Sequence, residues 1–394
     1  MITASVGVGT SENAYRAGTE AVEQALATLS LPPSQKVSVA FVFGSVGYDQ
    51  DQLIAGINAA LPGVLLVGCS SAGEISTEGL STEGSVVVLL ISSDQMEFFG
   101  TIAHHLLWNA KQSGEECSNA LLYDSHGYIS TAWYFIDALS GNSDKVALGA
   151  FERLPPQTPV LATCAGDDLL FYQTYEYFND KAYSGSVVGL GLSGNYHATS
   201  VIVHGYLPIG IEHHVTHADA ATLYELDGKP AASIYEDYFG QDYFAELHRG
   251  LLPSLAVGYP LGLFTDDDDT VIIRNPIIVG KKGEMTCMGS IPSGGIVRLM
   301  VSDALRGIEI AKQAALDVMK KLDGRKPKAV IIVNSVARKK MLGSRVNEEI
   351  EVIQQVIGRD VPIVGFYSYG QMNGVVGENI PLQNASLLIW ALAE

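Results

Sequence analysis

Residues Cys69, Ser70, Ser71 and Glu74 put a thiol, two hydroxyls and a carboxylate into one short run, VLLVGCSSAGE, where an apolar strand-like stretch breaks off. A thiol there becomes a nucleophile only if the fold brings it a histidine base and an orienting acid, which defines a thiol-dependent hydrolase reading of Cys69. The local chain offers no such partner, and the adjacent serines do not make a G-x-S-x-G elbow. The competing reading gives the work to the turn, in which Gly68 and Gly73 let a ligand approach backbone N–H groups. Two further clusters are weaker. His213 and His217 in EHHVTH would share a helical face, but Val215 and Thr216 favour an extended chain, in which positions four apart are roughly 13 Å from each other and cannot chelate one ion. Asp266 to Asp269 lack the glycine and distal glutamate of a calcium loop and read as a solvated loop.

The elements that position these residues recur along the chain. VLLVGCSSAG (64–73), QTPVLATCAG (157–166) and VPIVGFYSYG (361–370) are strands that break into small or hydroxylated residues, and Glu74, Asp167 and Gln371 follow them. Upstream, AFVFGSVGY (40–48) aligns with ALLYDSHGY (120–128) and VIIVNSVAR (330–338). Downstream, GSVVVLLIS (84–92), GSVVGLGLS (185–193) and NASLLIWAL (384–392) align. The unit is strand, helix, strand, glycine turn, strand. Its Val/Ile/Leu-rich strands alternate little, which predicts an α/β protein with mixed sheets covered by helices. Gly73, Gly166 and Gly370 are expected in equivalent turns at the carboxyl ends of strands, where open α/β sheets bind ligands. Cys69 aligns with Thr163 and Phe366, so the turn is repeated and the thiol is not.

Composition narrows the partners. A net charge of −19 without a basic stripe argues against nucleic acid and anionic membrane, and an apolar share of 47% supplies a packed interior. No apolar run reaches the roughly 20 residues of a membrane span, and the N-terminus lacks the pattern of a secretory leader. Four cysteines without a C-x-x-C pair suit the reducing cytoplasm.

The chain resembles the FIST sensory proteins. The resemblance rests on GCSSAGEIS (68–76), GSVVGLGLSG (185–194), HGYLPIG (204–210) and VTHADAATLYELDGKPA (215–231). It continues in YPLGL (259–263), IRNPIIV (273–279), GSIPSGGIVRLM (289–300) and GFYSYGQM (365–372). It implies a FIST N-terminal domain over 1–230, a FIST C-terminal domain over 231–394, and non-catalytic small-ligand sensing in bacterial signal transduction. Gln371 stands where the family usually shows glutamate. The chain also resembles the haem-binding, nitric-oxide-responsive NosP-type members, which implies a separate histidine kinase or cyclic-dinucleotide enzyme as partner; a homodimer is left open. Joined to that resemblance, His204 in SVIVHGY is the first candidate for a haem ligand and His126 the second, against the plainer reading of both as hydrogen-bonded loop residues. Without haem, the expectation is an amino-acid or metabolite sensor. The expected ligand-binding residues are Gly68, Cys69, Ser70, Ser71, Gly73, Glu74, Tyr367, Tyr369, Gly370 and Gln371. Tyr367 and Tyr369 either wall a pocket or pack at the edge of the core.

Overall fold

The structure, a computed structural model, describes residues 1–32, 35–77, 79–80, 84–240, 252–264 and 271–394; Asp266 to Asp269 lie outside the described residues. The repeated unit is present three times. Unit one runs β1 (Ile2–Gly9), α1 (Ala14–Thr28), β2 (Val39–Ser45), α2 (Gln50–Ala60), β3 (Leu65–Ser71), the short β4 (Glu74–Ser76) and β5 (Gly79–Leu80), and β6 (Val86–Ser93). Unit two runs β7 (Met96–His104), α3 (Leu106–Asp124), β8 (Thr131–Ile136), α4 (Ser143–Arg153), β9 (Pro159–Cys164), β10 (Glu176–Phe178), β11 (Lys181–Tyr183) and β12 (Ser186–Gly194). Unit three opens with β13 (His197–Val203). An insert follows, with β14 (Leu207–Asp219), β15 (Thr222–Leu226), β16 (Lys229–Pro230), β17 (Leu261–Phe264), β18 (Val271–Arg274), β19 (Pro276–Val279), β20 (Met285–Cys287) and β21 (Ile296–Val301). The unit then resumes with helix Ala304–Lys321, β22 (Pro327–Ser335), helices Val336–Leu342 and Val346–Ile357, β23 (Ile363–Ser368), β24 (Gln371–Val375) and β25 (Leu387–Ala393).

Each unit builds the same four strands in the same order: β1-β6-β2-β3, β7-β12-β8-β9 and β13-β25-β22-β23. The last two strands of each set are parallel and the others antiparallel. The segments after the glycine turns are exchanged in a cycle. β4 pairs on β23, β24 on β9, and β10 on β3, so each unit completes another unit's sheet.

Alternation along the strands divides the interior. In β2, Val39, Phe41 and Phe43 face the core between the sheets, while Ala40 and Val42 face α1 and α2. The central core joins all three units through aromatic contacts: Phe41 with Trp133, Phe43 with Phe135 and Phe366, and Trp133 with Trp390. Such pairs add about 0.5–1.5 kcal/mol each beyond the area they bury. The outer helices start at side-chain caps, where Asn13, Asp49, Asn142 and Asp303 accept backbone N–H groups of the first turn.

Two alignments made from sequence are corrected. ALLYDSHGY is the end of α3 and its terminal turn, and the true counterpart of AFVFGS is β8 at Thr131–Ile136. A four-residue apolar run reads equally as buried strand or helix, and His126 (φ 52°) and Gly127 (φ 83°) are the left-handed residues that end the helix. The residue equivalent to Glu74 and Gln371 is Glu176 rather than Asp167. Glu74 pairs in register with Phe366, Gln371 with Thr163 and Glu176 with Cys69, because unit two inserts a loop between its glycine turn and the returning strand.

Candidate functional site

The three glycine turns meet one another at the carboxyl ends of β3, β9 and β23. Gly166 N–H donates to the Ser70 carbonyl (3.0 Å), while Ser70 Oγ donates to the Gly166 carbonyl (2.8 Å). Ala72 N–H donates to the Tyr367 carbonyl (2.9 Å), Tyr367 N–H to the Gly73 carbonyl (2.8 Å), and Cys164 N–H to the Gly370 carbonyl (2.8 Å). A Cβ on Gly166 would stand 2.9 Å from both Ala72 N and Tyr367 O, so the junction has room only for glycine. The stretches Gly68–Glu74 and Gly365–Gln371 are thereby brought together, but as a sealed junction. Gly68, Cys69, Ser70, Ser71, Gly73, Glu74, Tyr367, Gly370 and Gln371 are all buried.

Polar chemistry inside this junction is internally satisfied in two units. The Ser71 and Ser85 hydroxyls are hydrogen-bonded to the two oxygens of the Glu74 carboxyl. Burial pushes that carboxyl up to about 8 against those hydroxyls, with Asp168 raising and Lys339 lowering it further. At neutral pH Glu74 is a neutral acid, and unit three uses a neutral amide in its place. Ser368 Oγ donates to Gln371 Oε1 (2.8 Å), and Gln371 Nε2 donates to the Ser386 carbonyl (2.6 Å). In unit two the Glu176 carboxyl is fully buried and lacks a well-formed hydrogen bond; the Ser186 backbone faces it, and burial holds it far above the carboxylate range. Cys69 opposes Glu176 across the strand pair, and its thiol is raised first by burial and then by Glu176 and Cys164. That is the opposite of an activated nucleophile.

Open space lies beside the junction, in a cavity of about 520 Å³. Unit two supplies Leu169 and Phe171, unit three supplies Ser335, Lys340, Tyr369 and Asn384, and the insert supplies Val257, Asn275, Ile277 and Met288. Tyr369 alone among the ten residues expected from sequence lines it. Its ring stacks on Phe171 (centroids 5.1 Å apart, 17° between planes). The loop carrying Phe171 holds Asp168, Leu169 and Phe171 at positive φ, and one carboxylate fixes it. Asp167 accepts from the backbone N–H groups of Phe171, Tyr172 and Gln173 and from the Tyr369 hydroxyl. Lys340, Asn275 and Phe171 were missed from sequence. The readable signal was the long spacing between Gly166 and the returning strand at Glu176.

Neither of the two histidines expected as haem ligands lines the cavity. His204 Nδ1 accepts from Tyr206 N–H (2.9 Å), which puts the ring proton on Nε2, the nitrogen that would have to offer iron its lone pair. Burial, Arg338 and Arg306 lower this imidazole to about 4, and it does not line the cavity. His126 is an exposed left-handed residue after α3 and lines no cavity described. His213, His214 and His217 lie along the extended β14, and the described residues hold no cluster suited to a metal ion. No described helix is long and apolar enough to cross a membrane.

Residues 38–229 match the FIST N domain and residues 231–372 the FIST C domain. An uncharacterized protein of Mycobacterium tuberculosis is 25% identical, and one of Mycobacterium bovis 23% identical, each over 95% of both chains. Among solved structures, cyanuric acid hydrolase from A. caulinodans aligns over 100% of both chains at 10% identity and a TM-score of 0.36. PurLQS from Thermotoga maritima aligns over 100% of this chain and 72% of its own at 11% identity and a TM-score of 0.23. Neither score carries an argument about this chain. FIST domains are small-ligand sensor domains in signal transduction, and with both of them in series over most of its length this chain belongs to the FIST family.

Proposed function

We propose that the chain is a non-catalytic sensor whose metabolite ligand occupies the cavity between the insert, the loop 167–175 and the end of unit three, and whose output is made in trans. The observation that carries this reading is where the threefold repeat is broken. Unit two alone adds a loop after its glycine turn, unit three alone accepts an insert between β13 and its helix, and the cavity lies where those two departures face each other. A volume of about 520 Å³ is in the range of small-molecule sites. The apolar wall with a few polar groups has the usual composition of such a site. A histidine kinase or cyclic-dinucleotide enzyme would read the change in relation between insert and units.

The experiment is a thermal-shift screen of the full chain against a panel of amino acids, organic acids and nucleobases, repeated on Ile277→Trp, which places a large side chain into the cavity from a half-buried position. A ligand that raises Tm in the wild type and not in the variant supports the reading; a shift that Ile277→Trp leaves intact places the ligand elsewhere. Haem is the control arm. A Soret band on reconstitution that His204→Ala removes would replace the metabolite by haem and require the His204 tautomer to change on binding.

A further inference from the structure

We infer that the ligand is a small aromatic monoanion without an ammonium group, held by Lys340 and the Phe171–Tyr369 wall; this rests on the cavity being the sensor's site. The chain carries 43 acidic against 24 basic side chains, so a cavity lined at random would be expected to show carboxylates. Among the described residues the lining shows none, and its single charged member is Lys340. Lys340 is exposed and forms no ion pair among the described residues, although Lys339 beside it donates to the Ala72 carbonyl.

Charge behind the wall points the same way. Arg274, adjoining Asn275 and 3% exposed, donates to the carbonyls of Ser290 (2.9 Å), Ile273 (3.2 Å) and Leu382 rather than to a carboxylate, and burial lowers its pKa against the opposing charge of Asp144. The acid nearest the aromatic wall, Asp167, is fully committed to three backbone N–H groups and the Tyr369 hydroxyl. Among the described lining residues a ligand ammonium would therefore meet Lys340 without a carboxylate to pair with, while a ligand carboxylate would meet a cation and no competing anion. The stacked Phe171 and Tyr369 rings give a flat apolar surface, extended by Val257 and Met288, which suits a planar ring system.

A matched series with one ring and an anionic, a neutral, a zwitterionic and a cationic member tests this. Indole-3-acetate, indole, tryptophan and tryptamine are titrated calorimetrically into the full chain, into Lys340→Met and into Ile277→Trp. Indole-3-acetate is expected to bind about tenfold more tightly than indole, the scale of a charge-assisted hydrogen bond, with tryptophan and tryptamine weaker than indole. Lys340→Met, at an exposed position, should bring the anion down to the neutral ring, and Lys340→Arg should keep most of the preference. Tighter binding of tryptophan or tryptamine than of indole-3-acetate, or an anion preference unchanged in Lys340→Met, overturns the ligand class alone. Absence of binding by all four also overturns the class, and leaves the sensor reading to the metabolite panel. Equal binding of the series to wild type and Ile277→Trp overturns the cavity assignment itself.

Discussion

At the scale of single residues, position in the repeat explains side chains that looked catalytic. Glu74 is the clearest case, because its counterpart shows what chemistry the position tolerates. Gln371 holds the equivalent place with an amide that accepts from the Ser368 hydroxyl and donates to the Ser386 carbonyl, so the amide of Glu74→Gln should accept from Ser71 and donate to the Ser85 hydroxyl. The sign of the effect follows from the raised value of about 8: the folded state keeps a proton that the unfolded chain releases near its ordinary carboxylate pKa. Wild-type stability from this group is full at acid pH, falls as pH rises through the unfolded value, and is lost by about pH 8. Glu74→Gln should remove that slope and be the more stable protein at pH 8, by several kcal/mol, on the order of 4. Urea unfolding at pH 5.5 and 8 checks it, and parallel losses in both proteins would show that Glu74 is not the group responsible. The sequence made Glu74 visible as an acid in a glycine turn, but not its neutrality, which comes from complete burial and prevails over the opposing pull of the Ser71 and Ser85 hydroxyls. Cys69 was legible as unrepeated, and its place in the central core accounts for its inert thiol.

Among the elements, the loop after β9 is the one that the repeat does not dictate. Its positive-φ residues Asp168, Leu169 and Phe171 are costly conformations for side chains with a Cβ, and they persist because Asp167 gathers the donors around one carboxylate. Replacing Asp167 by Asn substitutes an NH₂ for an oxygen; if it stands where Oδ2 accepts from Tyr172 (2.7 Å) and Gln173 (3.0 Å), those two N–H groups lose their acceptor. We expect Asp167→Asn to release the loop at a cost of about 1–3 kcal/mol, confined to this element. Hydrogen exchange should show faster exchange at residues 171–173 with β9 unchanged, and ligand affinity should fall. Uniformly faster exchange would mean that the loop carries the fold rather than the site. The glycine turns and the strands around them were legible because Val, Ile and Leu runs ending in glycine have few readings. β8 was misplaced because ALLY is as good a helix end as a strand. The exchanged segments β4, β10 and β24 were not legible at all, since a strand of a few residues contains no record of which edge it pairs with.

For the whole molecule, the cavity's walls belong to bodies that the chain order keeps apart, which is what gives occupancy a route to an output. Among the described residues the insert is tied to the units near the cavity by Asn275 N–H to Asn384 Oδ1 (3.1 Å), Asn384 N–H to the Ile273 carbonyl (3.3 Å), Ile273 N–H to Gln383 Oε1 (3.4 Å), Ser290 N–H to Asp144 Oδ2 (2.8 Å) and Arg274 to the Leu382 carbonyl. By contrast the central core is sealed by aromatic contacts among all three units. A ligand bridging Phe171, Lys340 and Asn275 adds contacts to that boundary and none to the central core, so it should act on the boundary alone. Saturation with a ligand found in the metabolite screen should slow amide exchange together at residues 167–173 and at 271–288, on opposite walls, while β2, β8 and β22 keep their rates. Ile277→Trp should reproduce part of that protection without ligand, because its ring fills the same gap. Protection limited to one wall would show a ligand bound without joining the bodies, and the output would then have to come from a surface on that wall alone.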